Sequence, residues 1–256
     1  MRWRIALAGL LALSGVGAAH AAEPQLVSDV SDRDIEIRAS FHGATELVFG
    51  AILYPDGVVP DGQTDIAIVL RGPSQSIRLR EKDKLGGLIW VNADETRFRS
   101  APAFYAIATS RPIAKMVDRN TADIFELGLN SLQLSPSSGM APEAARRFER
   151  GLIDLRRRGA LYASQTGTVE ITNGVLYRAL IPIPARVPVG HYTAETFLIR
   201  HGQVLAATTR DVVIHKIGFE RFVAISARAF PFIYGAVVVI LSVLFGWAAG
   251  VLFKRI

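Results

Sequence analysis

The 256-residue sequence contains no cysteine. This absence excludes disulfide bonds, thiol chemistry and cysteine-ligated metal sites, so the folded part must rely on its hydrophobic core. Histidine is also scarce, with five residues in all. His42, His191, His201 and His215 show no i,i+2 or i,i+4 spacing, whereas a metal site needs three or four converging ligands. We therefore predict no metal site and no cofactor.

The common signatures of nucleophilic catalysis are missing as well. The sequence has no Gly-x-Ser-x-Gly motif and no Ser-x-x-Lys on a predicted helix, and the segment 135–139 resembles no nucleophile elbow. No catalytic residue can be nominated from these patterns. We therefore expect a protein that is not an enzyme, and an enzyme of unknown type is the alternative left open.

The net charge of +6 is carried largely by the two ends of the chain. Arg2, Arg4, Lys254 and Arg255 lie there, and without them 25 basic residues face 23 acidic ones. A part of the chain that is this close to neutral has no excess of positive charge with which to attract a polyanion. The composition therefore excludes nucleic acid as an expected partner.

The first hydrophobic stretch has the three parts of a signal peptide. Arg2 and Arg4 form a positive n-region, and Ile5–Gly17 is an apolar run that is too short to span a membrane comfortably. Ala19 and Ala21 then fit the small-x-small cleavage pattern. We expect residues 1–21 to be removed after export.

The second hydrophobic stretch, Phe232–Phe253, has 22 residues without a charge. As a helix it is about 33 Å long, enough to cross a hydrocarbon core of about 30 Å. We predict a transmembrane helix over 231–253 and a cytoplasmic tail over 254–256. The positive-inside rule keeps Lys254 and Arg255 in the cytoplasm, which places the preceding domain on the other, exported side of the membrane.

Gly246 and Gly250 give this helix one GxxxG spacing. Small residues at this spacing let two helices approach closely in a bilayer. The spacing is compatible with a homodimer or with contact to another membrane protein, and a chance occurrence in a glycine-rich helix is the alternative.

The region before residue 110 has the pattern of short β-strands separated by turn signals every 8–12 residues. Alternation of apolar and polar residues, or short apolar runs, marks each strand. This pattern is typical of an antiparallel sandwich rather than of βαβ units. The predicted strands are Asp34–Ser40, Glu46–Tyr54, Asp65–Arg71, Gln75–Glu81, Leu88–Val91 and Ala103–Thr109.

A helical insert is predicted over about 112–159. Pro112–Asn130 has helical propensity with Thr121 as a plausible N-cap, and Pro142–Arg158 is a clear amphipathic helix. One side of that helix carries Ala145, Phe148, Leu152 and Leu155, and the other carries Arg146, Arg150 and Arg157. These three arginines could bind an anion or lipid headgroups, and a solvated face is the alternative.

Strands resume after the insert and end in a pattern typical of immunoglobulin-like modules. A proline-containing segment, a Gly-x-Tyr sequence, a hairpin and a final strand follow one another between Pro182 and His215. We predict a mainly β fold: an Ig-like antiparallel β-sandwich over 22–216, either as one domain or as two β halves around the insert. An interfacial juxtamembrane helix is expected over 217–230. The predicted strands are Thr168–Thr172, Val175–Ile181, His191–Arg200 and Val204–His215.

Many separate landmarks occur in the order seen in a known family. They are FHGATELVFGAI, VLRGP, GLIWVN, SAPAFYAIATSRP, LYRALIPIPARVPVGHYTAETFLIRHGQVL and HKIGFE…PFIYG…FGWAAGVLFKRI. With them the chain resembles the alphaproteobacterial putative transmembrane protein family, Alph_Pro_TM, over nearly its whole mature length. The resemblance implies an exported, single-pass protein of the bacterial inner membrane, with its N-terminal domain in the periplasm and its C-terminus in the cytoplasm. It brings no catalytic residues. Members are often encoded near sulfite-exporter-like permeases, which implies an inner-membrane transporter as a partner.

These observations favour a non-enzymatic binding or accessory module that is embedded in the lipid bilayer and acts with an inner-membrane partner such as a transporter. A periplasmic anion-binding or sensor domain that uses Arg146, Arg150 and Arg157 is the alternative.

Overall fold

The computed structural model describes residues 23–37, 43–55, 57–86, 88–136, 140–216, 223 and 226–253. The predicted signal peptide, the tail 254–256 and most of the predicted juxtamembrane helix lie outside these residues. In chain order the elements are β1 (Gln25–Val30), β2 (Asp34–Ile37), β3 (Gly43–Leu53), β4 (Thr64–Arg71), β5 (Ser74–Leu85), β6 (Ile89–Pro102), β7 (Tyr105–Thr109), α1 (Ile113–Met116), α2 (Arg119–Ile124), α3 (Pro142–Arg158), β8 (Tyr162–Thr166), β9 (Glu170–Thr172), β10 (Leu176–Pro184), β11 (Gly190–Arg200), β12 (Gln203–Lys216) and α4 (Pro231–Phe253).

Two sheets enclose the main core, so the predicted mainly β fold is confirmed. The smaller sheet has the order β1-β3-β10-β9 and the larger one the order β2-β12-β11-β4-β7-β8. Strand β10 illustrates the packing: Tyr177, Ala179, Ile181 and Ile183 are buried and alternate with exposed residues. Because side chains point to opposite faces in turn, one face of the strand meets the core and the other meets solvent.

The sequence predicts that this strand ends at Ile181, but Pro182 and Pro184 belong to it as well. Pro182 pairs with Thr45 of β3, and Pro184 pairs with Gly43. On its other side β10 pairs with β9 only over Leu176–Arg178. The prolines therefore lie where β10 is an edge strand, and an edge tolerates the missing N–H donor.

The central strands of the larger sheet are buried on both faces. One face meets the smaller sheet, and on the other face Val69, Tyr105 and Ile107 pack against Met116 and Leu127, which lie in α1 and just after α2. Double burial explains why β4 and β7 are apolar runs rather than alternating strands. The helical region 113–127 thus acts as a cover for this sheet.

Strands β5 and β6 form a hairpin that pairs with neither sheet. Two short strands were expected here, but β5 has 12 residues and β6 has 14. Only the part near the sandwich is buried, where Phe98 and Ala101 pack against Phe148 and Leu152 of α3. The charged outer part lacks the apolar alternation that marks a half-buried strand, so its length is not visible in the sequence pattern.

The predicted helix Pro142–Arg158 is present with these bounds, with Pro142 in its first turn and Gly159 as its C-cap. The predicted helical segment before it is instead two short helices, α1 and α2. Thr121 is not the N-cap of α2, because the side chain of Asp118 accepts a hydrogen bond from the Thr121 N–H at 2.9 Å. A carboxylate is a strong acceptor for a free N–H group at a helix start.

Two pairings in the larger sheet are parallel, although the sequence pattern predicts an antiparallel sandwich. Strand β2 pairs in parallel with β12, and β8 pairs in parallel with β7. Strand β8 was not expected from the sequence. A parallel neighbour requires a long crossover, and the chain between Thr109 and Tyr162, which carries the three helices, provides it.

Tyr192, near the start of β11, ties the loop before this strand to the core. Its ring is fully buried beside Phe104, and its hydroxyl donates a hydrogen bond to the Pro188 carbonyl at 2.6 Å. Burial raises the pKa of Tyr192, so the hydroxyl stays protonated as a donor at neutral pH.

Tyr192→Phe is expected to lower the free energy of unfolding by about 1 kcal/mol, since the ring packing is kept and one hydrogen bond is lost. Thermal unfolding of the purified full chain in detergent measures this loss. Tyr234→Phe, in α4 and outside the sandwich, serves as the control. An unchanged unfolding midpoint for Tyr192→Phe would show that the hydroxyl does not stabilise the loop before β11.

Helix α4 begins at Pro231, as predicted, and is apolar throughout. Within the part of the chain that the structure describes, it is the one helix long and apolar enough to cross a membrane. Its apolar stretch is 0% buried by the rest of the protein. Phe232, Phe245 and Trp247 are among its most exposed side chains. A helix of this composition, left unburied by the protein, matches the hydrocarbon interior of a bilayer.

Candidate functional site

A cleft of about 1180 Å³ lies between α3 and the segment that contains α1 and α2. The three arginines singled out from the sequence, Arg146, Arg150 and Arg157, all line it. They share one wall of the cleft with Glu149 and Ile153. The structure therefore brings the predicted residues together at a concave surface.

The helical repeat of α3 places these arginines on one side. Arg146 and Arg150 are one turn apart, where Cβ atoms lie about 5–6 Å from each other, and Arg157 follows two turns later. The Arg150 Nε donates to the Arg146 carbonyl at 3.2 Å. Among the described residues, none of the three guanidinium groups forms an ion pair with a carboxylate, so their charge is available to a ligand.

The opposite side of α3 holds the helix in place. Phe148 and Leu152 are buried against the β5–β6 hairpin, and Arg147 pairs with Glu81 at 2.9 Å and with Asp94 at 3.5 Å. Leu155 was expected on this buried side, but it is 55% exposed, because a hollow of about 400 Å³ lies between α3 and the hairpin there. The arginine side therefore projects from a helix that is anchored through its other side.

The other wall of the cleft is formed by α1, α2 and the segment 127–134. Asp118 lies there, engaged as the cap of α2, and Arg119 lies 3.9 Å from Asp123. Arg119 and Asp123 offset each other, and the charged carboxylate of Asp118 lies on this wall, whereas the α3 wall holds three arginines against the single carboxyl of Glu149. The cleft is therefore cationic on the α3 side.

A partly buried polar network around the buried side chain of Tyr105 supports this second wall. The Tyr105 hydroxyl donates to the Glu126 carbonyl at 2.6 Å and accepts from the Gly128 N–H at 2.8 Å. Arg71 forms an ion pair with Glu126 and lies 3.8 Å from Glu195. These contacts hold Glu126 in a left-handed conformation, with φ 51°. The sequence carries no signal for this network, because its members come from distant strands and one turn.

Glu149 is the titratable group with a shifted pKa on the arginine wall. Burial raises its pKa above the ordinary value, and the nearby Arg146 opposes this rise. The carboxyl therefore takes up a proton at a higher pH than an exposed glutamate. Protonation removes the one negative charge that lies among the three arginines.

We expect oxyanion affinity at the cleft to rise as the pH falls through the raised pKa of Glu149, because the carboxyl then loses its charge. Glu149→Gln is expected to raise the affinity at neutral pH roughly twofold to fivefold and to flatten this pH dependence. Titration calorimetry with sulfate, which keeps its charge over this range, measures both effects. A pH dependence that persists in Glu149→Gln would assign it to another group.

The model of one protein family matches residues 25–255 of the chain, and that family is described as "Putative transmembrane protein (Alph_Pro_TM)". The chain belongs to the Alph_Pro_TM family. No curated protein and no solved structure matches it. The resemblance to this family is thereby confirmed over most of the chain. The Alph_Pro_TM protein is a membrane protein, and the described residues contain one candidate transmembrane helix near its C-terminus.

The histidines of this Alph_Pro_TM protein are dispersed. His191 and His215 lie in β11 and β12, His201 lies in the turn between these strands, and His42 lies outside the described residues. Within the ranges that the structure describes, no group of three or more His, Asp or Glu side chains could hold a metal ion.

The two glycines predicted to permit helix–helix contact lie on α4 of the Alph_Pro_TM protein. A Cβ atom added at Gly246 or at Gly250 would meet nothing within 4 Å. The surface around both positions is therefore open to another helix, and nothing in the described part of the chain covers it.

Proposed function

We propose that this Alph_Pro_TM protein is a non-enzymatic binding or accessory module, anchored in the inner membrane by α4, whose Ig-like domain lies in the periplasm. The observation that carries the proposal is the cleft beside α3, a preformed concave site lined by Arg146, Arg150 and Arg157. Export with removal of residues 1–21 is part of the proposal and is tested by N-terminal sequencing of the membrane-bound protein.

The strand order supports the Ig-like assignment. Constant-type immunoglobulin domains have sheets ABED and CFG. The order β1-β3-β10-β9 follows A-B-E-D, and β4, β11 and β12 follow C-F-G as neighbours in the larger sheet. The hydrogen bond from Tyr192 to Pro188 is similar to the tyrosine corner of these domains. In this assignment, 72–104 is an insertion after strand C, and a helical insert over about 112–159 precedes β8.

The arginine wall supports an oxyanion as the ligand. A guanidinium donates two parallel hydrogen bonds to a carboxylate, sulfate or phosphate, and such charge-assisted bonds are stronger than neutral ones. Arg146 and Arg150 are close enough to act on one anionic group, with Arg157 two turns further along α3. The genomic association of the family with sulfite-exporter-like permeases makes sulfite and sulfate the first anions to examine.

Thermal unfolding of the detergent-solubilised full chain tests the binding role. Sulfate, sulfite, phosphate and succinate are compared at millimolar concentration against sodium chloride of equal ionic strength. At a concentration tenfold above its dissociation constant, a ligand is expected to raise the midpoint by about 3–6 °C. If every anion gives only the shift of sodium chloride, the oxyanion role is rejected.

Contact with a membrane partner, such as a transporter, is proposed through α4. The support is the unburied apolar surface of this helix and the open space at Gly246 and Gly250. Co-purification from mildly solubilised membranes is expected to recover a transporter-sized membrane protein with the wild type and to lose it with Gly246→Leu. Val237→Leu is the matched control, because Val237 lies on the opposite side of the same helix from Gly246 and is also exposed. Equal recovery with Gly246→Leu, or no recovery with the wild type, would reject this contact.

A further inference from the structure

The β5–β6 hairpin leaves the sandwich at the same end from which the chain runs to its membrane helix. In the larger sheet Arg71, the last residue of β4, pairs with Thr193 of β11, and Thr193 pairs with Asp211 of β12. Strand β12 continues past Asp211 to Lys216 and leads to α4, whereas β5 begins at Ser74, just past Arg71. The root of the hairpin and the exit toward α4 therefore share one end of the sheet.

The hairpin is longer than the part of β12 that leaves this end of the sheet. The 12 residues of β5 span about 40 Å at a rise of about 3.3 Å per residue. From the row that contains Asp211, the rest of β12 adds about 17 Å. A ribbon of this length is sufficient to carry its tip past Lys216, on the side where α4 follows.

The tip of the hairpin is apolar and exposed. Leu88 is 88% exposed and Ile89 is 65% exposed, whereas Phe98 and Ala101 near the root are fully buried. Two such side chains side by side at the end of a long ribbon contribute nothing to the core of the sandwich. Lys82 and Lys84 precede the tip, with Asp83 between them, so the outer end of β5 carries a net positive charge.

We propose that Leu88 and Ile89 insert into the interfacial layer of the same bilayer that α4 spans, as a second membrane contact of the domain. The anchor keeps this lipid surface permanently within reach, so its effective concentration is high and a small apolar contact suffices. The two lysines fit the charge of anionic lipid headgroups, to which basic residues next to a membrane are attracted. This contact orients the domain on the membrane and is independent of the arginine cleft.

The absence of cysteine makes a direct test available, because a single introduced cysteine can be labelled selectively. The full-length Leu88→Cys variant is labelled with the environment-sensitive fluorophore NBD and reconstituted into vesicles that contain a shallow nitroxide-labelled lipid. Val58→Cys is the matched control, since Val58 is also aliphatic and 67% exposed but lies in the loop between β3 and β4, at the opposite end of the sheet.

At Leu88→Cys we expect blue-shifted emission and roughly threefold more nitroxide quenching than at Val58→Cys. Quenching is expected to increase when phosphatidylglycerol is added to phosphatidylcholine vesicles. Equal quenching at the two positions would overturn the proposal. Blue-shifted emission without quenching would also overturn it, because the tip would then be buried against a second copy or another protein. A phosphatidylglycerol-independent signal would overturn the role of the lysines.

Discussion

Arg150→Gln is expected to weaken oxyanion binding at the cleft roughly tenfold. The substitution removes a charged donor from the middle of the arginine wall, and a hydrogen bond to a charged group contributes about 1.5–3 kcal/mol. The lower end of this range applies because the side chain of Arg150 is exposed to solvent. The double variant Arg146→Gln, Arg150→Gln is expected to lose about 100-fold. Titration calorimetry with sulfate measures both.

Arg158→Gln is the matched control for this experiment. Arg158 is on the same helix and carries the same charge, but it is paired with Asp154 at 2.6 Å and does not line the cleft. Its loss is expected to change the affinity by less than about twofold. If Arg158→Gln weakened binding as much as Arg150→Gln, the effect would come from overall charge, and the cleft would not be the site.

Asp65→Ala is expected to destabilise the sandwich by about 3 kcal/mol, because it removes a buried carboxylate that accepts several hydrogen bonds, some of them charge-assisted. Asp65 lies in β4, and its side chain is 3% exposed. It accepts hydrogen bonds from the Arg111 Nε at 2.7 Å and from the Ser110 hydroxyl at 2.9 Å, and a further contact joins it to the Arg111 Nη2. Removing the carboxylate leaves these donors without their acceptor.

Thermal unfolding of the full chain measures this loss, which corresponds to a fall of roughly 6–12 °C for a domain of this size. Asp211→Ala, at an exposed position of β12, is the control and is expected to stay within about 0.5 kcal/mol of the wild type. Asp65→Leu combined with Arg111→Met is expected to recover part of the stability, since no unpaired charge is left. Equal midpoints for Asp65→Ala and Asp211→Ala would contradict the account of this pair.

Local sequence signals were sufficient to predict those elements whose start, end and hydrophobic period are all encoded in their own residues. Helix α3 has Pro142 in its first turn, Gly159 at its end and an apolar stripe between them, and its predicted bounds agree with the structure. Helix α4 was equally visible, because an uncharged apolar run of that length is rarely anything else. The strands β11 and β12 agree to within one residue at each end, since their turn contains a glycine and the strands are apolar.

Elements that depend on pairing with distant residues could not be predicted from the sequence. Strand β8 has the polar sequence YASQT and is stabilised by its parallel neighbour β7, so it carries no apolar alternation of its own. Asp118 and Thr121 both have side chains that suit a helix N-cap, and propensity alone does not decide which of them caps α2. The division of this segment into α1 and α2 could not be predicted from propensity either. The division of the chain into domains stays a prediction.

One of the two walls of the candidate site could be predicted from the sequence. The helical period of α3 predicted that Arg146, Arg150 and Arg157 share a side, and the structure places all three in the cleft. What faces them could not be predicted, because the second wall is positioned by the contacts of Tyr105 and Arg71 across the larger sheet. The charged side of a helix can be predicted from its own sequence. A cleft also needs a second wall, and only the tertiary fold brings the two walls together.

The location of a bound selenate ion tests the central claim most directly. Selenate has the shape and charge of sulfate, and its anomalous scattering marks its position in crystals of the full chain without ambiguity. The account predicts selenate in the cleft within hydrogen-bonding distance of Arg150 and of Arg146 or Arg157, and its loss from this position in Arg150→Gln. Selenate bound only elsewhere, or bound in the cleft equally well in Arg150→Gln, would contradict the account.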